Sequence, residues 1–399
     1  MPGSQSRGRG RAFGARGGAL LALSLAVAVA GCARDGSSAS TGSRAEASTR
    51  CATRASHAVV TLVTPDVALE SAWERYAKTG KGWVAGDSVY AYSVPHLGTL
   101  DTFSDSYLHT MNRSRPQPIV HNLFVVQSAD GYRTVTGGRH ERPVALVAAP
   151  KGWFYLGFGG IPEGSIFQQF FMEMHWIGSG TFAYTYVKSV LATFSLPGLK
   201  LESVRTLSGA HPTIRWGSSV ERFGTWTYVY GTAYGRLGLG AGYVARVGGS
   251  DLRAPWSYWD GHGWASSSAA ALPIVGAAQT QFDVTRFDGM YVLVTSDPYP
   301  PFSASAGVYF GCSPYGPFPH GQQVTLSEYA GLLGRRHWGS HKGDSSVYVY
   351  DALAQPALER PGQLVVSYNQ NAYVFHAIFS NPAIYRPGYL DLAVAFGPG

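Results

Sequence analysis

Apolar and polar positions alternate with a period of two in a series of short runs. They are Ser88–Val94, Ile119–Val126, Phe182–Val187, Trp226–Tyr230, Gly242–Val247, Met290–Thr295, Gly307–Gly311, Ser346–Tyr350 and Leu364–Tyr368. Such runs, rich in aromatic and β-branched residues, predict strands with one face buried. Turn clusters separate them, among them Gly137-Gly138, Gly159-Gly160, Gly248-Gly249 and Asp260-Gly261, which supply the backbone freedom that reversals need. A convincing 3.6-residue period occurs at Leu69–Lys78 (LESAWERYAK) and predicts one amphipathic helix. The expected class is all-β. No low-complexity linker interrupts residues 56–399, so one continuous domain is expected there. Its length exceeds a single sandwich and suits a propeller of five four-stranded blades, although no strict internal repeat marks the blades. A two-domain β protein is the alternative.

Composition adds support without changing that picture. Charged residues are 14% of the chain against 45% apolar, which excludes a disordered chain or a coiled coil. The formal charge of +7 suggests a nucleic-acid partner until its location is considered. Arg7, Arg9, Arg11 and Arg16 precede Cys32 without a compensating acid, and Arg34, Arg44, Arg50 and Arg54 outnumber Asp35 and Glu46 in residues 33–55. The remainder is nearly neutral and has no basic stripe to grip a phosphate backbone, so no nucleic acid is expected as a partner.

The same N-terminal arginines lead into an apolar run, Ala19–Ala30, followed by Gly31-Cys32. The run has the length of a signal-peptide core and is too short to span a bilayer as a helix. Val29-Ala30-Gly31-Cys32 resembles a bacterial lipobox, with Cys32 as the lipidated residue. A plain secretory peptide is the alternative. Residues 1–31 are therefore expected to be a lipoprotein signal peptide exported by the Sec route, since no Arg-Arg pair precedes the run. Residues 32–55, rich in Ser, Ala, Gly and Thr, are expected to form a flexible tether. The folded part would then stand outside the cytoplasmic membrane on a lipid anchor, acting as a monomer. Cys51 and Cys312 remain as an even pair in an oxidising compartment, either joined in a disulfide or left as separate thiols. No CxxC or paired His spacing points to zinc.

Several segments carry a resemblance to a known family. They are Trp83-Val-Ala-Gly-Asp87-Ser, Thr102-Phe-Ser-Asp105-Ser, Arg115-Pro, Val120-His121-Asn122, Leu191-Ala-Thr-Phe-Ser-Leu-Pro197, Trp226-Thr-Tyr-Val-Tyr230-Gly231, Tyr243-Val-Ala-Arg246, Tyr258-Trp-Asp260-Gly-His-Gly-Trp264, Ser367-Tyr-Asn369-Gln-Asn371 and Tyr385-Arg386-Pro387. Together they resemble a poorly characterised family of secreted five-bladed β-propellers, similar to furanosidase-type glycoside hydrolases and their endo-arabinanase relatives. The resemblance implies a polysaccharide or glycan partner, by analogy of fold only. Two positions depart from the family pattern. The stretch after Gly152-Trp153 reads Tyr155-Leu-Gly-Phe158-Gly-Gly160 without an Asp, and Gly388-Tyr389 rather than a second Arg follows Pro387. An apolar residue where relatives place a carboxylate removes an acid, a ligand or a pKa modulator.

Glycoside hydrolysis needs two carboxyl groups, one ionised and one protonated. Asp87 and Asp105 are the candidates for base or nucleophile, with a turn-capping aspartate as the alternative role for each. Glu163, between a glycine-rich stretch and an apolar run, is the candidate acid, with a solvated loop glutamate as the alternative. His121, Asn122, Tyr230, Arg246 and Arg386 are candidates to bind substrate, and structural roles compete for each. No G-x-S-x-G, G-x-x-x-x-G-K-[ST] or H-E-x-x-H motif occurs. No cofactor is expected. A structural Ca²⁺ in the central channel is compatible with the oxygen ligands present, but no loop specifies one. A propeller that binds glycan or scaffolds envelope proteins without cleavage is the competing function.

Overall fold

The computed structural model describes residues 48–111, 118–179, 183–207, 210–234, 240–297, 305–326, 347–372 and 377–397. The expected signal segment, Cys32 and residues 32–47 of the expected tether lie outside them. No helix among the described residues is long and apolar enough to cross a membrane.

The chain forms a five-bladed β-propeller. Blade 1 is built from Tyr90–Val94, Gly98–Phe103, Leu123–Ser128 and Gly131–Val135, and blade 2 from Trp153–Glu163, Ile166–Trp176, Tyr184–Ser195 and Leu201–Thr206. Blade 3 starts at Arg215–Phe223, Trp226–Tyr234 and Gly240–Gly248 and adds two short strands, Ser257–Trp259 and Trp264–Ala265. Blade 4 holds Phe282–Phe287, Met290–Ser296, Ser305–Gly311 and His320–Thr325. Blade 5 takes three strands from the end of the chain, Val347–Ala354, Gln363–Ala372 and Gly388–Ala395, and its outermost strand from the beginning, Val59–Pro65. Pairing the two ends closes the ring.

In each blade the first strand lies innermost, and successive inner strands stand side by side around a central channel. The seam between blades 5 and 1 is bridged by Gln355, whose amide donates to the Val89 carbonyl (3.0 Å) and accepts from the Ala91 N–H (2.9 Å). Large apolar side chains fill the wedges between blades. Phe124, Phe167 and Phe194 pack between blades 1 and 2, and Phe158, Phe170 and Trp216 between blades 2 and 3. Burial of each such side chain contributes about 1.5–3 kcal/mol.

The stretch with the glycine pairs after Trp153, expected to be a loop, is the inner strand of blade 2. Its glycines are required by crowding at the ring. A Cβ on Gly159 would stand 2.9 Å from the Gly217 carbonyl oxygen and 2.9 Å from Ser219 Cα of blade 3, too close for any side chain.

Ahead of the ring, residues 48–56 form a helix, α1. Residues 48–55, expected to be tether, are therefore helical, and the folded part begins before Ser56. Ala55 is buried against blades 4 and 5, and Cys51 is bonded to Cys312, with 5.9 Å between their Cα atoms. A second helix, α2 (Val67–Lys78), is capped by Asp66, whose Oδ1 accepts from the Leu69 N–H (2.9 Å), an N-cap arrangement. Its Trp73 is buried with ring edges on Trp83 (4.9 Å) and Phe103 (5.4 Å). That contact fixes the short strand Trp83–Gly86, which leads directly to Asp87.

Candidate active site

The strand Trp83–Gly86 pairs antiparallel with Ser106–Leu108. One step beyond, the Asp87 N–H donates to the Asp105 carbonyl (3.1 Å) and the Ser104 N–H donates to the Asp87 carbonyl (3.0 Å). Ser104 and Asp105 thus both face Asp87 across a bulge-like irregularity, and the two aspartates are near enough for the charge of Asp105 to act on the Asp87 carboxyl. They lie at the end of the channel where the inner strands begin. We call this end the mouth.

The two carboxyl groups occupy different surroundings. Oδ2 of Asp87 accepts from the hydroxyls of Tyr350 (2.8 Å) and Tyr385 (2.9 Å). Burial, followed by the negative charge of Asp105 and then of Asp351, pushes the Asp87 carboxyl well above the aspartate range, against the pull of both phenols. Asp105 is more open, with 28% of its side chain exposed, and its Oδ1 lies 2.7 Å from Nδ1 of His121. The imidazole is stacked on Phe154 at 4.5 Å, so ring packing holds the nitrogen that meets the carboxylate.

A third carboxyl group, Asp351, was not evident from the sequence. It sits where the inner strand of blade 5 shifts register between Tyr350 and Leu353. Its φ of +49° is left-handed, a conformation that aspartate tolerates better than most residues. Ser88, itself at φ +56°, donates to Asp351 (3.4 Å), as does Asn369 (3.4 Å), and the Gln281 amide nitrogen faces it from blade 4. Burial raises Asp351 to about 7.

Aromatic rings form the rim. Trp176 and Tyr184 of blade 2 meet edge to face at 5.6 Å, and behind the site the buried ring of Tyr107 packs against Phe379 at 5.3 Å and Tyr385 at 6.0 Å. Burial raises the Tyr184 phenol to about 12, and Asp105, Asp87 and Asp351 add to the shift. That tyrosine therefore senses the same three carboxylates.

Further along the channel lies a second acidic group. Ser219 of blade 3 donates to Asp283 of blade 4 through a short hydrogen bond, and Glu221 and Glu359 extend it. Tyr90 stands between the two groups, raised first by burial and then by Tyr92, Asp351 and Asp283. No three His, Cys, Asp or Glu side chains among the described residues converge to hold a metal ion.

The structure brings Asp87, Asp105 and His121 together and places the other sequence candidates elsewhere. Glu163 ends the inner strand of blade 2, six residues past the Gly157 carbonyl that Ser104 bonds. At about 3.3 Å per residue this is roughly 20 Å away, at the opposite end of the channel. There it is 41% exposed and paired with Arg222 at 3.2 Å, apart from the Asp87–Asp105 pair. Asn122 is buried and ties a loop, accepting from the Val147 N–H (2.7 Å) and donating to the Val147 (3.1 Å) and Tyr155 (3.0 Å) carbonyls. Tyr230 is buried between blades 3 and 4, its hydroxyl donating to the Pro314 carbonyl (2.8 Å). Arg246 lies on the third strand of blade 3, between the rings of Trp226 (3.9 Å) and Trp264 (4.1 Å). Arg386 is buried, with burial lowering its guanidinium to about 10, and its Nε donates to the Val84 carbonyl (2.8 Å). It staples the turn carrying Tyr385 onto the strand that presents Asp87.

One solved structure shares this architecture, and others align more loosely. A Bacteroides ovatus protein solved as "a putative hydrolase" superposes with a TM-score of 0.66 at 20% identity, covering 83% of this chain and 90% of its own. The GH43 protein BlXynB of Bacillus licheniformis aligns with a TM-score of 0.39 and 10% identity over 73% of this chain and 49% of its own. A xylan β-1,4-xylosidase of Bacillus halodurans aligns with 0.41 and 9% over 79% and 53%. No curated protein matches the sequence. The family described as "Domain of unknown function (DUF5005)" matches residues 70–393, and the chain belongs to that family.

Proposed function

We propose that the protein is a glycoside hydrolase acting on an arabinan-like or other cell-envelope polysaccharide. The observation that carries this reading is the Asp87–Asp105 pair, two neighbouring carboxyl groups in unlike environments at a channel mouth rimmed by aromatic rings. Environments that separate two carboxyls in this way assign acid and base. Asp87, pushed up and held by two phenols, donates a proton to the departing glycosidic oxygen. Asp105, oriented by His121, takes the proton from attacking water or attacks the anomeric carbon itself. Asp351 adds negative charge that keeps Asp87 protonated. In this reading the chain is exported, lipidated at Cys32 and displayed as a monomer on the outer side of the cytoplasmic membrane.

The test is release of new reducing ends from a panel of envelope and plant polysaccharides, arabinans included, by the full chain and its Asp87→Asn and Asp105→Asn variants. Products lost in both variants support the assignment, whereas equal release from all three proteins removes it. A second reading, a propeller that binds glycan without cleaving it, is favoured by the inner strand of blade 2. That strand offers Tyr155, Leu156, Gly157 and Phe158 and no carboxylate near the mouth. Retardation of the protein in polysaccharide-loaded gels without product release would select it.

A further inference from the structure

The mouth is polarised across its width. Its three carboxyl groups, Asp87, Asp105 and Asp351, belong to blades 1 and 5, which are neighbours in the ring. Blade 3 stands across the channel from both. Its inner strand begins with Arg215, at the same end of the channel as Asp87.

The setting of Arg215 is unusual for an arginine beside so many acids. Its guanidinium lies over the ring of Tyr234 at 4.6 Å and that of Tyr186 at 5.1 Å. Both rings are themselves fixed. The Tyr186 hydroxyl is hydrogen-bonded to Ser189 (3.1 Å), and the Tyr234 hydroxyl to Thr280 by a short bond. The cation is held by cation–π attraction and makes one long side-chain hydrogen bond, Nη1 to Thr280 Oγ1 at 3.5 Å. No carboxylate pairs with it among the described residues. An arginine carries five N–H donors in a rigid fork, so most of them stay unspent. Stacking therefore fixes the guanidinium in advance, at low entropic cost to a ligand. Arg246, also stacked between two rings, is on the third strand of blade 3 and not on the innermost strand that lines the channel.

We propose that Arg215 recognises an anionic substituent on the glycan, a sugar carboxylate or phosphate, so that the substrate class is an acidic polysaccharide. This rests on reading the mouth as a glycan site. The acidic side performs the chemistry and repels the anion, while the cationic side receives it. The chain is thereby bound in one direction, with its charged sugar over blade 3 and its reacting bond over blades 1 and 5. A planar oxyanion suits the guanidinium edge because both make paired, charge-assisted hydrogen bonds.

The test is calorimetry of the full chain with glucuronate, glucose 6-phosphate and glucose. Either anion should bind at least about tenfold tighter than glucose, and salt should erode that preference. Arg215→Gln should abolish the preference, and Arg215→Lys should restore part of it, which separates recognition from misfolding. Glucuronate binding alone would name a uronic acid, and glucose 6-phosphate alone a sugar phosphate. The proposal is overturned if neither anion outbinds glucose, or if the preference survives in Arg215→Gln. The Asp105→Asn variant should keep the preference while losing hydrolysis. An intact preference with no polysaccharide cleaved would sink the catalytic reading alone.

Discussion

The channel holds two groups of carboxyl side chains, and they differ in what their neighbours donate. At the mouth, Asp87 receives two phenol hydrogen bonds, Asp351 receives Ser88 and Asn369, and Asp105 faces an imidazole. In the deeper group Asp283 receives the Ser219 hydroxyl, while its Oδ2 and the Glu359 Oε1 are buried without a donor. Burial raises Asp283 and Glu359 to about 7 and drives Glu221 well above the glutamate range. Donors offset part of the upward push of burial, and a carboxyl oxygen without one keeps all of it. The mouth acids are therefore the better prepared to exchange a proton, whereas burial holds the deeper acids toward their neutral form.

Removal of Asp105, the proposed base or nucleophile, should have the largest effect. Asp105→Asn is expected to lower kcat by about 10²–10⁴-fold, the usual contribution of a positioned acid or base. Asp283→Asn should change kcat only within a few-fold, and an equal loss in both variants would erase the distinction. Tyr385→Phe should cost about tenfold, since it removes a hydrogen bond that becomes charge-assisted as Asp87 gives up its proton. Losing a donor that pulls Asp87 down should also move the alkaline limb of the rate profile to higher pH.

Stability sharpens the comparison in the opposite sense. Asp283 is raised from 3.8 to about 7, so the folded state holds a proton that the unfolded chain releases. Stability from such a group falls as pH rises from the unfolded value to the folded one, and the loss is complete above it. The Tm should therefore drop between about pH 4 and pH 8, and Asp283→Asn should flatten that slope by a few degrees. An unchanged slope in the variant would place the titration elsewhere. The smallest effect belongs to Glu163→Gln. An exposed ion pair is worth about 0–1 kcal/mol, so kcat should stay within about twofold of the parent.

Much of this fold is legible along the chain because alternation is a local property. The helix expected at Leu69–Lys78 appears as Val67–Lys78, and the runs at Trp226–Tyr230, Met290–Thr295 and Leu364–Tyr368 all fall within strands. Asp87, Asp105 and His121 were legible because each ends or interrupts an apolar run near the others in sequence. Asp351 and Tyr350 were not, since they reach the site from 263 residues away along the chain. Tyr230 and Arg246 illustrate a different difficulty. An aromatic ring or a guanidinium is equally at home in a wedge between blades and in a sugar site, and only position in the sheet separates the two. Arg215 shows the converse, a lone arginine before a tryptophan that becomes notable only when the ring places it across from the acids.

The bond between Cys51 and Cys312 has a mechanical consequence. The strand that closes the ring, Val59–Pro65, follows Cys51 in the chain and is held to Gly388–Ala395 by a ladder that could be peeled from its start. Tension arriving from residues before Ser48 meets the covalent link first and passes through Cys312 into blade 4. The closing strand lies beyond that branch point and carries little of the load. A propeller tugged at its N-terminus is thus anchored through a rivet and sealed by a zipper, and the two tasks are kept on separate parts of the chain.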